Sequence, residues 1–197
     1  MLCEHLDARH RANAFQWLAA QSTTAGVRHF NGSRLEDLAT GHEMILDAVG
    51  GADGLETHFH GLQRLPGDSR LGYIYRPIRV SRHLQLSSAL RLLLAFDALV
   101  LGHLQGSLPD DGVLICGPMF RRVRVRLQTH LESLASILTR LRRQIASVNE
   151  PLLTLNRHCE LCEFKQHCRA NAVEPDNLRV RHKISARFGR SSFGEMV

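Results

Sequence analysis

The sequence predicts an α/β domain on three observations. Apolar residues recur at helical spacing among charges near both ends. Two β-rich pieces, LETHFHGLQRL and LGYIYRPIRV, bracket the turn formers of PGDSR, and a buried-looking GVLICG is followed by strictly alternating FRRVRVRL. With 197 residues and 44% hydrophobic content, the chain is the size of one ordinary globular domain with a real core.

Taken in order, residues from about Glu4 to Gln21 carry Leu6, Ala12, Phe15, Trp17 and Leu18 among charges, the pattern of an amphipathic helix. A second helix is expected from Ser33, whose hydroxyl can cap it, with Glu36 completing a capping box, and it should end before Gly50-Gly51. Leu55 to Val80 then reads as a hairpin. Leu84 to Gln105 reads as a long, mostly buried helix closed by Gly106 and Pro109. GVLICG is a buried strand with FRRVRVRL as its antiparallel partner, and Gln128 to about Ser147 is a further amphipathic helix carrying Leu131, Leu134, Ile137, Leu138 and Leu141. The order αα-ββ-α-ββ-α is not a Rossmann order, and no glycine-rich phosphate loop accompanies it. We expect one domain over residues 1–175 and a basic, frayed tail over 176–197.

The apolar run from Leu84 to Leu104 is interrupted by Arg91, Asp97 and His103, and no charged segment followed by an apolar stretch opens the chain. The expectation is a soluble, unsecreted, cytoplasmic protein with no membrane partner. The formal charge is +6, and the only lysines are Lys165 and Lys183, so the positive charge is almost all arginine. Arginine suits bidentate phosphate recognition and stacking on bases, which makes nucleic acid the natural partner. Arg122, Arg124 and Arg126 alternate with Val123, Val125 and Leu127 and so share one strand face, a row suited to a phosphate backbone. Arg76, Arg79 and Arg82 on the second hairpin strand read as further phosphate contacts.

Three of the five cysteines lie in HCELCEFKQHC, His158 to Cys168. Crowded thiols without an export signal point to metal ligation rather than a disulfide framework. Cys159 and Cys162 can grip one metal or one edge of a cluster, and Cys168 follows on a short helical turn. The candidates for a fourth ligand are Cys3, Cys116, His158 and His167. Cys116 sits in the most apolar strand, where it behaves as a small hydrophobe. Cys3 opens the polar CEHLDARHR, where no packing role explains it, and is the expected fourth ligand.

One cysteine near the N-terminus and a distant C-x2-C-x5-C resemble the iron-sulfur branch of the RecB-like nucleases, of the PD-(D/E)xK superfamily. LLTLNRHCELCEFKQHCRANAVEPDNL, GLQRL and LLLAFDALVLGHLQGSLPDDGVLICG resemble uncharacterised bacterial RecB-like nucleases associated with helicases, a likeness covering Cys3 to about Val180. It implies a restriction-endonuclease-like core, a mixed sheet flanked by helices, with the termini joined by a [4Fe-4S] cluster on Cys3, Cys159, Cys162 and Cys168. Zinc is the competing metal. The implied partners are DNA, single-stranded or end-containing, and a helicase.

The superfamily's chemistry needs two carboxylates on adjacent strands to hold magnesium or manganese, and a lysine two residues after the second. His60 stands at the position of the first carboxylate, within HFHGLQRL. YIYRPIRVSR offers neither acid nor lysine, and LRLLLAFDAL lacks the Gln and Tyr of the family's Q-x-x-x-Y signature. None of the family's catalytic residues carries over, so the expectation is a DNA-binding domain with an inactive nuclease centre. The alternatives are a metal-dependent DNase using His60 with His58, Asp53 or Glu56, and a zinc-bound interaction module serving a helicase.

Overall fold

The computed structural model describes residues 2–22, 26–35, 38–67, 72–147, 159 and 162–173, excluding the side chains of 2–4 and 171–173. The chain divides into two compact units, Met1–Leu141 and Arg142–Val197. This division falls earlier than the boundary expected at 175, and residues 176–197 lie outside the described set.

The first unit is a six-stranded mixed sheet with the strands in sequence order: β1 (Val27–His29), β2 (Met44–Ala52), β3 (Leu55–Pro66), β4 (Tyr73–Ser81), β5 (Asp111–Cys116) and β6 (Arg121–Arg126). β1 and β2 are parallel, as are β4 and β5, while β2 with β3, β3 with β4, and β5 with β6 are antiparallel. Helix α1 (Leu2–Ala20) buries Ala14, Phe15 and Leu18 against Met44, Leu46, Ile78, Val80, Val113 and Ile115 on one face. Helix α2 (Ser88–Gln105) covers the other face with Leu94, Ala95, Ala98, Val100 and Leu101. Helix α3 (Gln128–Ala146) adds Leu134 to that second core, and α4 (Lys165–Val173) belongs to the second unit.

The expected hairpin, long helix and final strand pair are all present. Ser87 caps α2 by accepting from the Leu90 N–H at 3.2 Å, and Gly106 closes it in the left-handed conformation that glycine adopts without strain. By length and composition α2 could cross a membrane, yet it is packed on the sheet and carries the fully buried Asp97.

Among the described residues the second expected helix is not found. Just before its expected start at Ser33, Asn31 and Gly32, at φ 51° and 76°, form a tight turn closed by Ser33 N–H to Phe30 O at 2.9 Å. Glu36, the other half of the expected capping box, lies outside the described residues. The second half of the expected helix is β2, joined to β3 by a two-residue turn, Asp53-Gly54, with φ of 52° and 73°. In α1, Leu6 and Ala12 face solvent, and Ala14 does the packing expected of them.

One irregularity in the sheet sets up the site. Ile45 and Ala48 both join the α2-side core although three residues apart, and Phe59 and Leu62 do the same on β3. Asp47, at φ 57°, and His60 occupy the gap in the register between the Leu46–Gly61 and Ala48–Phe59 pairs. Each strand carries one unpaired residue there with the register unchanged, and the alternation of faces slips by one on both strands, which re-aims their side chains.

Candidate functional site

The inward stripe of α1, Ala14, Phe15 and Leu18, continues toward the N-terminus at helical spacing as Arg11, His10 and Asp7. These three polar residues face His60 in the middle of β3 and Val80 and Ser81 at the end of β4. Together they make a cleft of about 270 Å³ lined by Asp7, His10, Arg11, His60, Val80, Ser81, Arg82, His83 and Leu90.

His60 is a half-buried polar group of this cleft. Its Nδ1 accepts the Val80 backbone N–H at 3.0 Å, filling the place of a strand carbonyl where the β3–β4 ladder stops. A neutral imidazole with Nδ1 committed as acceptor carries its proton on Nε2. Burial, then the charges of Arg79, Arg11 and His58, push its pKa down to about 3. The ring packs edge-on to Phe15 and His58, with centroids 6.5 and 5.8 Å away. His58 in turn lies 2.8 Å from Asp47 Oδ1.

The six arginines picked from sequence separate into two groups. Arg79 is a core residue: its Nε donates to Asp97 Oδ2 at 2.7 Å and its Nη2 to Oδ1 at 2.6 Å, and its side chain is only 14% exposed. Thr57 adds a third hydrogen bond to Asp97 at 2.7 Å. Burial raises the Asp97 pKa, and Arg79 and Thr57 pull it back. This geometry corrects the reading of Arg79 as a phosphate contact, because its guanidinium is turned into the core. Arg76 is likewise held inside, bonding Gln63 through Nε and Nη2 and Asp111 through Nη1 at 3.0 Å. Arg82 Nε lies 2.5 Å from Asp7 Oδ1 at the mouth of the cleft.

Arg122, Arg124 and Arg126 do share one exposed face of β6, as alternation requires. Arg124 is tethered by Asp111, its Nε donating to Oδ2 at 2.6 Å, and remains 73% exposed. Arg122 lies over the Trp17 ring at 5.5 Å. Trp17 meets Phe120 at 5.4 Å, and Phe120 meets His10 at 5.3 Å, so a chain of ring contacts links the arginine row to the cleft.

The carboxylates named beside His60 are not gathered around it. Asp53 pairs with His103 at 2.6 Å in the β2–β3 turn, and Glu56 pairs with Arg34 at 3.1 Å on the surface. Glu56 is four residues from His60 along β3, roughly 13 Å at strand rise.

Cys116 is fully buried in β5 among Leu94, Leu114 and Val125, and burial pushes its thiol pKa up. In the second unit, Cys162 N–H bonds Cys159 O at 3.4 Å, and Cys168 N–H bonds Phe164 O at 2.9 Å at the start of α4. The three thiols are therefore a turn and a helix start apart. Among the described residues they are not gathered with one another, or with His, Asp or Glu, into a group of three metal ligands. The Cys3 side chain and His158 lie outside the described residues.

Asp47, Asp97, Asp111, His10, Arg11 and Trp17 were not picked from sequence as site residues. Asp97 had a signal, a carboxylate inside the apolar LLLAFDALVL. Arg11 and His10 had one too, as polar residues on an otherwise inward helical stripe. No protein-family model matches the chain, and a search of curated proteins returns no match either.

Proposed function

We propose that this chain is a DNA-binding module of RecB-like, restriction-endonuclease type whose nuclease centre has been replaced by a basic and imidazole-lined cleft. The observation that carries the reading is the exposed row Arg122, Arg124 and Arg126 on one face of β6, flanked by Trp17. Guanidinium groups at strand spacing neutralise phosphates, and an adjacent indole gives a base a surface to stack on. The mixed sheet with helices on both faces supports the fold assignment, as does the adjacency of β3 and β4, where that superfamily places its two carboxylates.

The reading of the centre as inactive rests on side chains that are committed elsewhere. His60 holds the sheet ladder through Nδ1, and Arg79 on the neighbouring strand neutralises Asp97. Asp111 is shared between Arg76 and Arg124. No carboxylate on β3 or β4 lines the cleft, whose one acid among the described residues, Asp7, belongs to α1 and pairs with Arg82.

Cys3, Cys159, Cys162 and Cys168 would hold the [4Fe-4S] cluster, with zinc as the competing occupant, a reading supported by their spacing in the sequence. When bound, such a cluster would cross-link distant parts of the chain rather than take part in hydrolysis.

Fluorescence anisotropy with end-labelled single-stranded DNA across a salt series tests the function. Binding should weaken steeply with salt, and replacing Arg122, Arg124 and Arg126 by Gln should lower the log–log slope by up to about two. Manganese-dependent cleavage of the same DNA, lost on His60→Ala, would replace this reading with that of an active DNase. Salt-insensitive binding, or none, would leave the interaction-module reading.

A further inference from the structure

We propose that the cleft between α1, the middle of β3 and the end of β4 is an anion site for a phosphate monoester, the terminal phosphate of a nucleic acid strand. The proposal deepens the DNA-binding reading and rests on it for the identity of the molecule that carries the phosphate.

The lining is built from donors. Arg11 and Arg82 supply guanidinium groups, and His10, His60 and His83 supply imidazoles. Among the described residues the cleft has one carboxylate, Asp7, and it is already paired with Arg82. No hydrogen bond or ion pair among the described residues engages the Arg11 guanidinium, although it lies on the buried side of α1. Because His60 Nδ1 accepts from Val80, the face of that ring left for a ligand is the Nε2–H donor.

His10 gives an independent indication. Its Nε2 is shielded from solvent and has no hydrogen-bond partner among the described residues. Covering a polar nitrogen without a partner is costly, and a bound oxygen at that point would remove the cost. The space is sufficient: about 270 Å³ compares with roughly 30 Å³ per water molecule, room for a phosphate and several waters.

The neighbourhood favours an anion over a metal ion. Two guanidinium groups repel a cation, whereas α2 begins beside the cleft with Leu90 in the lining and no acidic residue in its first turn. A second groove of about 340 Å³, lined by His83, Leu84, Gln85, Ser87 and Leu90, adjoins the cleft. Arg121 reaches the Leu84 carbonyl at 3.5 Å, so the groove leads from the cleft to β6. A strand laid along the β6 arginines, its bases near Trp17, would end in the cleft.

The test observes the imidazoles of His10, His60 and His83 by 15N-correlated NMR in the full chain during titration with sodium phosphate. Sodium chloride at matched ionic strength is the control. A saturable shift confined to phosphate is expected, and Arg11→Gln should weaken it by about tenfold, the loss of one charge-assisted contact, without changing the melting temperature. The β6 triple variant should keep the phosphate shift. A 5′-phosphorylated oligonucleotide should bind about tenfold more tightly than its 5′-hydroxyl form. Equal binding of the two with the phosphate shift intact would support the anion site and assign it to a free phosphorylated ligand. Loss of all DNA binding with the shift intact would sink the DNA reading while supporting the site. The proposal is overturned by the absence of a saturable phosphate shift, by a shift that Arg11→Gln leaves unchanged, or by saturable Mn²⁺ broadening of the same three rings in place of it.

Discussion

The Nδ1 atom of His60 accepts the backbone N–H of Val80 at 3.0 Å, so a side chain completes the sheet where the β3–β4 ladder ends. Replacing the ring by Ala leaves a buried N–H without a partner, at a cost of about 1–3 kcal/mol, and adds a cavity against Phe15. Asn, whose Oδ1 can take the same hydrogen bond, should recover about 1 kcal/mol of that loss. Urea unfolding of the two variants makes the comparison, and equal destabilisation would show that the hydrogen bond adds nothing.

The same contact fixes a pH dependence. His60 is pushed down to about 3 in the folded chain, by burial first and by Arg79, Arg11 and His58 after it, while the unfolded ring titrates near 6.5. The unfolded state therefore binds the extra proton, and stability is fully present above about 6.5 and lost as pH falls from there toward 3. The slope approaches about 1.4 kcal/mol per pH unit for this one ring. His60→Asn should flatten that limb of the stability curve, and an unchanged slope would refute the assignment.

Arg79 and Asp97 form a buried pair with Thr57 as third partner, and such a unit reacts unevenly to dissection. Asp97→Ala strands a guanidinium in the core and should cost about 3–5 kcal/mol. The double change Arg79→Met with Asp97→Leu removes both charges and should be less damaging than Asp97→Ala alone. Thr57→Val should cost only about 0.5–1.5 kcal/mol. Equal losses from the single and double charge variants would mean that packing, not charge pairing, sets the stability here.

These relationships mark how far the sequence could be read. The hairpin, α2 and the last strand pair were legible because their periodicities are unambiguous and bounded by PGDSR, Gly106 and Pro109. MILDAVGGA was not, since a short apolar run fits helix or strand, and the Ser33–Glu36 spacing tipped it toward helix. The turn-forming dipeptides Asn31-Gly32 and Asp53-Gly54, all four residues at positive φ in the structure, outweigh the capping pattern. Strict alternation correctly grouped Arg122, Arg124 and Arg126, but no local pattern tells that Arg79 faces a carboxylate eighteen residues away. The slip at Asp47 and His60 has no sequence signature, and it is what turns the imidazole toward Val80.

Trp17 offers a direct view of the proposed interface, since it is the only tryptophan and lies beneath Arg122 and beside Phe120. DNA binding should change its emission as a base or phosphate displaces the guanidinium from the ring. Arg122→Ala should alter emission in the unbound chain and reduce the change on binding. If DNA binds with Trp17 emission untouched in the unaltered chain, the interface lies elsewhere than this edge of β6.

Cys116 and the three C-terminal cysteines should behave as two chemical classes. Cys116 has no exposed surface, and burial holds its thiol protonated beyond the usual range. Cys162 by contrast is exposed. After chelator treatment, a thiol reagent under native conditions should modify Cys162 and spare Cys116 until the chain unfolds, because the thiolate is the reactive form and must be reached. Metal content should divide the same way. Cys116→Ala removes one buried sulfur from β5, costs about 1 kcal/mol, and should leave iron and sulfide, or zinc, unchanged. Ser at Cys3, Cys159, Cys162 or Cys168 should each lower the bound metal, since a thiolate ligand is lost and a hydroxyl is a poor substitute. Brown protein with equal iron and sulfide would support the cluster, and colourless protein with stoichiometric zinc would keep the ligands and change the metal. Metal lost from Cys116→Ala and retained in Cys3→Ser would remove Cys3 from the ligand set, and with it the reason for fastening the N-terminal helix to the cysteine segment.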